Sequence, residues 1–160
     1  MGFPSQDKLC HLGEGVFCLL PLPSSQNQNT LKFIKQNQNE AVELMLESFS
    51  IDTQNWEVYG TFKFIIDKEK FAEGGFREAF KAKEAVSRKY WVLKQYKEDV
   101  VKNMKDTLSV SPEQHARKQV QMHSVARNVA QRFTKKAPLG FGETFTYHKV
   151  YYASLIMIST

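Results

Sequence analysis

Between Trp56 and Lys97 the chain alternates three times, and that rhythm restricts the fold more than any other feature. "WEVYGTFKFIID" (56–67) sets Val58, Phe62, Phe64 and Ile66 on one side, with Gly60 a gap among them, and Tyr59, Thr61, Lys63 and Ile65 on the other. "FREAFKAK" (76–83) opposes Phe76, Glu78, Phe80 and Ala82 to Arg77, Ala79, Lys81 and Lys83. "KYWVLKQYK" (89–97) opposes Tyr90, Val92, Lys94 and Tyr96 to Trp91, Leu93 and Gln95. A period of two belongs to extended backbone, whose side chains point to opposite faces in turn. Three such runs separated by the short breaks "KEKFAEGG" and "EAVSR" predict an antiparallel meander.

A helix follows, and its start is written in the residues. Ser111 is the expected N-cap, Pro112 sits where its missing N–H costs nothing, and Gln114 completes a capping box. Ala116, Val120, His123, Ala126, Val129, Ala130 and Phe133 then recur at steps of three and four along one side. Pro138, Gly140 and Gly142 end the helix, and "ETFTYHKVYYASLIMIS" (143–159), rich in aromatic and β-branched residues, predicts a last strand. The fold class is therefore α+β: an antiparallel β-sheet with one packed helix. Residues 51–160 form the domain. Residues 1–50 read as a flexible extension, with a linker in "PLPSSQNQNT" (21–30) and a helix over 31–49, where Leu31, Ile34, Ala41, Leu44, Met45 and Phe49 follow a helical spacing.

Composition narrows the classes of function. At 42% hydrophobic, the 160 residues suffice for a buried core. The net charge of +5 favours anionic partners only weakly. The acid-free stretch 115–136 is read as a solvated helix face in preference to a nucleic-acid patch, so nucleic acid is not an expected partner. Cys10 and Cys18 fit no zinc or redox spacing, and His11, His115, His123 and His148 form no ligand-like group. No metal site is expected, and isolated thiols point to a reducing, cytoplasmic setting. No apolar run is long enough to span a membrane, and "MGFPSQ" lacks the features of a signal peptide.

The chemistry gathers around "FAEGGFREAF" (71–80) and Lys94. Gly74 and Gly75 let backbone pass close to a ligand, and free N–H groups in such a corner can cradle an anion. Arg77 adds a fork of donors, and Lys94 a point charge on a mostly apolar strand face, where it needs a partner. Taken singly, a glycine pair is an ordinary turn and a strand lysine an ordinary solvated residue.

Together these residues resemble the α-kinases, the atypical protein kinases that include myosin heavy chain kinases, elongation factor kinases and channel-linked kinases. The family's F-A-x-G-x-x-R-x-x-F corner is matched by Phe71, Ala72, Gly74, Arg77 and Phe80. "YWVLKQY" and the helix with "ARNVAQRF" follow in family order. The resemblance covers about Trp56 to Tyr152 and implies the N-terminal, sheet-rich lobe of a serine/threonine protein kinase. It implies ATP as a ligand, with Gly74 and Gly75 covering the phosphates, Arg77 oriented near them and Lys94 on a phosphate oxygen. It also implies Mg2+, held mainly by a second lobe, and a protein substrate. Gln119 stands where the family often carries a carboxylate that pairs with the lysine, and Glu113 falls too early to replace it. The family's hinge acid, catalytic Asp, second glycine-rich loop and zinc ligands have no counterpart in the 160 residues. The chain is thus expected to lack catalytic residues and to be inactive alone. A noncatalytic interaction module derived from a kinase lobe is the alternative.

Overall fold

The alternating runs become strands because each finds an antiparallel neighbour that buries one of its faces. The computed structural model describes residues 17–21, 41–142 and 147–156. Among them, seven strands run in chain order: β1 (Phe17–Pro21), β2 (Ala41–Ser50), β3 (Asn55–Ile66), β4 (Ala72–Glu73), β5 (Arg77–Glu84), β6 (Tyr90–Tyr96) and β7 (Tyr151–Leu155). Two helices, α1 (Glu98–Thr107) and α2 (Pro112–Lys136), lie between β6 and β7. The sheet order is β3-β2-β7-β1-β6-β5-β4, and β3 pairs again with β5 from Phe64↔Glu84 to Ile66↔Ala82. That second pairing curls six strands into a ring and leaves only the two-residue β4 hanging from β5.

The ring separates two apolar layers. Leu44, Leu46, Phe64, Ala82, Leu93 and Ala153 cluster inside it, with the Phe64 and Trp91 rings edge to face at 6.0 Å. Tyr96, Met104, Ala116, Val120, Val150 and Tyr152 form the outer layer, between sheet and helices. The capping box forms as expected: Gln114 N–H donates to Ser111 Oγ at 3.1 Å, and Ser111 N–H to Gln114 Oε1 at 3.2 Å. Such a cap stabilises a helix by about 1 kcal/mol.

Several expectations are corrected. The helix expected over 31–49 is strand from Ala41 onward, while 31–40 lies outside the described residues. Residues 17–21 and 41–50, assigned to an extension, are paired into the sheet. The single helix is joined by α1, whose Val100, Val101 and Met104 dock on the outer layer. The last strand shrinks from 143–159 to Tyr151–Leu155, with 143–146 and 157–160 outside the described residues. The expected inner face of β3 is also interrupted. The β2–β3 register slips between Leu46 and Glu47, so that Leu46 faces Gly60 and Glu47 faces Val58, leaving Tyr59 as an extra residue. One extra residue exchanges the two faces of everything beyond it. Val58 is therefore 64% exposed, and Trp56 packs on the helix side. Gly60 permits this bulge: its φ is +156°, and a Cβ there would meet the Phe62 ring at 3.1 Å.

Candidate functional site

Strand register places the two expected cations on one face. Arg77 faces Tyr96 across β5–β6 and Ala79 faces Lys94, so all four project to the same side. Tyr96 belongs to the outer layer, which makes this the side covered by the helices. A second line of register agrees. Lys94 pairs with Cys18, Cys18 with Tyr152 and Tyr152 with Glu47, and both Tyr152 and Glu47 meet α2. Arg77 and Lys94 are diagonal neighbours, about 7–8 Å apart at Cα in an antiparallel pair.

The glycine corner is the tip of the β4–β5 hairpin. Gly74 N–H donates to the Arg77 carbonyl at 2.8 Å and closes the loop. This corrects the expectation of free amides at both glycines: that of Gly74 is engaged, and among the described residues that of Gly75 has no backbone acceptor. Gly74 and Gly75 are exposed, neither has positive φ, and a Cβ on either would meet nothing within 4 Å. Nothing inside the described chain therefore demands glycine at these two positions.

The hairpin is tied down at its base by residues the sequence reading passed over. Lys97 N–H donates to the Phe76 carbonyl at 3.1 Å, and Lys97 Nζ lies 3.1 Å from Glu73. Lys70 reaches Glu73 at 3.1 Å and Glu78 at 2.8 Å. Hydrogen bonds from Lys97 and Lys70 hold the Glu73 carboxyl below its ordinary pKa. From the hairpin a chain of contacts leads to α2. The Arg77 guanidinium lies over the Tyr96 ring at 5.9 Å, and the Tyr96 hydroxyl meets His115 Nδ1 at 2.7 Å. A cavity of 560 Å³ opens beside this chain, between hairpin, α1 and α2; Phe76, Arg77, Tyr96, Met104, His115 and Gln119 contribute to its walls.

Lys94 is half-buried, and among the described residues no carboxylate pairs with it. Glu113 is engaged with Arg117 at 3.1 Å, and Glu47 with Arg117 at 2.8 Å. Gln119 lines the cavity beside Arg77. Arg117 went unnoticed in the sequence, yet it pins α2 to the sheet: its guanidinium lies 4.2 Å from the Tyr152 ring centre and 4.8 Å from that of Trp56. Only the acid-free run around it could have drawn attention, and that run does not distinguish Arg117 from Lys118. Among the described residues no cluster of His, Cys, Asp or Glu could hold a metal ion, and no helix is long and apolar enough to cross a membrane.

Residues 72–158 match the family model described as Alpha-kinase family. No curated protein and no solved structure matches the chain at a significant level.

Proposed function

This chain belongs to the alpha-kinase family, and from that premise we propose that it carries the phosphate-holding wall of an ATP site in a serine/threonine protein kinase. Lys94 and Arg77 bind and orient the triphosphate, and the amide of Gly75 at the hairpin tip adds a donor. The observation that carries this reading is the register that sets Arg77 and Lys94 side by side on one face next to the hairpin. The two glycines support it, because their lack of a side chain answers to no packing need among the described residues. An anion drawn close to the loop backbone supplies the missing reason. Phosphoryl transfer also needs a positioned acceptor and charge stabilisation from the opposite side of the substrate. The 160 residues alone are therefore expected to bind ATP weakly and to transfer no phosphate. Magnesium, which would shield phosphate charge when bound with ATP, is assigned no ligand among the described residues. The setting consistent with ATP and a protein substrate is the cytoplasm.

Titration with a fluorescent ATP analogue tests the reading. A charge-assisted hydrogen bond to phosphate is worth about 1.5–3 kcal/mol, so Lys94→Ala should weaken binding by about tenfold or more. Lys89→Ala, at an exposed site just before β6, should leave it unchanged. Equal affinity of the wild type and Lys94→Ala would overturn the assignment. The second reading, a noncatalytic interaction module, draws on the absence of a carboxylate partner for Lys94 among the described residues. A folded chain with no measurable affinity for nucleotide would favour it.

A further inference from the structure

The second half of α2 carries an apolar stripe that the sheet does not use. Met122, Val125, Val129 and Phe133 recur at steps of three and four, and are 56%, 48%, 61% and 48% exposed. At 3.6 residues per turn these four fall within about 80° of arc. Ala116 and Val120, which bury α2 against the sheet, lie on the other side, which corrects the expectation that Val129 and Phe133 share one side with them. The Phe141 ring meets Phe133 edge to face at 5.2 Å and prolongs the stripe, itself 58% exposed. Isolated exposed apolar residues are ordinary, but a continuous line of them marks an interaction surface.

The border of the stripe is basic. Lys118 stands one turn before Met122, Arg132 falls three residues after Val129, and Lys136 falls three after Phe133; all three are exposed. From Gln114 to Lys136 there are six Lys or Arg residues and no Asp or Glu. We propose that this stripe is a docking seam for an acidic amphipathic α-helix of a partner protein. The arc is that of a narrow seam of the coiled-coil type, which accepts one facing helix, and not the broad apolar face that lies in a bilayer surface. The seam from Met122 to Phe133 is about 17 Å long, three helical turns. Its cations ask for carboxylates flanking the partner's apolar ridge. A second copy of this chain would set basic border against basic border, so self-pairing is disfavoured.

Fluorescence anisotropy with the 160-residue chain tests this. The probe is a labelled synthetic helix with Leu at its a and d positions and Glu at e and g. Saturable binding is expected, weakening several-fold between about 50 and 300 mM salt as flanking charges are screened. Val129→Glu changes an exposed residue and should weaken binding by about tenfold or more, with an unchanged far-UV circular dichroism spectrum. Met122→Ser, a milder change at the same seam, should also weaken it. The proposal fails if the probe does not bind or if both variants bind as well as the wild type. It fails equally if the same helix with Lys at e and g binds as tightly. Uptake by phosphatidylserine vesicles without binding of the acidic helix would assign the stripe to a membrane surface instead. Concentration-dependent dimerisation abolished by Val129→Glu would assign it to self-association. No arm of this test contains nucleotide, so its outcomes are read independently of ATP binding.

Discussion

Arg117→Met removes a guanidinium that three parts of the fold share, while keeping the apolar stem of the side chain. The Arg117–Glu47 pair is 2.8 Å long, with side chains 28% and 12% exposed, so solvent screens it only in part. A hydrogen bond between charged groups in such a place contributes about 1.5–3 kcal/mol. The Trp56 and Tyr152 rings, 4.8 and 4.2 Å from the guanidinium carbon, each add about 0.5–1 kcal/mol. The exposed Glu113 pair adds no more than about 0.5 kcal/mol. Because these contacts share one group they do not add fully, and a loss of about 3 kcal/mol is expected, a fall in Tm of about 10 °C for a domain of this size. Thermal and urea unfolding followed by circular dichroism measure it. A double-mutant cycle with Glu47→Gln should return a coupling of about 1.5 kcal/mol. A cost under about 1 kcal/mol for Arg117→Met, or a coupling indistinguishable from zero, would refute the view that this pair pins α2 to the sheet.

Gly60→Ala should cost about 1–2 kcal/mol in urea unfolding, because the bulge needs positive φ and the new Cβ would press on Phe62 at 3.1 Å; an unchanged midpoint would show that the register does not depend on glycine there. Burial raises the pKa of Asp67, with the Lys81 charge opposing it. A carboxyl whose folded pKa lies above its unfolded value binds more protons in the native state. Its contribution to stability therefore falls as pH rises from the unfolded value through the folded one. Asp67→Asn should accordingly be more stable than wild type at neutral pH, and the gap should close as pH falls towards the ordinary value of 3.8. A gap that widens on acidification would reverse this assignment.

The strands that could be read directly are those whose residue types and period agree. β3 and β6 combine alternation with aromatic and β-branched residues, and α2 announces its start through Ser111, Pro112 and Gln114. β2 was misread because its local preference contradicts its fate. "AVELMLESFS" also alternates, but Ala, Glu, Leu and Met are strong helix formers. Pairing with β3 and β7 buries Leu44 and Leu46 completely, and that burial outweighs a propensity worth tenths of a kcal/mol per residue. α1 was missed because ten residues with Val100, Val101 and Met104 as their apolar contacts gain stability chiefly by docking on the outer layer.

The candidate site divides along the same line. The residue types that can hold an anion, two glycines, Arg77 and Lys94, were legible in their order along the chain. The chain alone thus determined the meander, the capped helix and the reagents of the site, because period, capping and side-chain chemistry act over a few neighbouring residues. Tertiary structure alone decided that Arg77 and Lys94 share the helix-covered face, that Tyr96 and His115 link the hairpin to α2, and that Val58 turns outward. Those outcomes depend on pairings between strands distant in sequence and on one extra residue at Tyr59. No local pattern encodes such a shift, because it exists only once a partner strand is there to be out of step with.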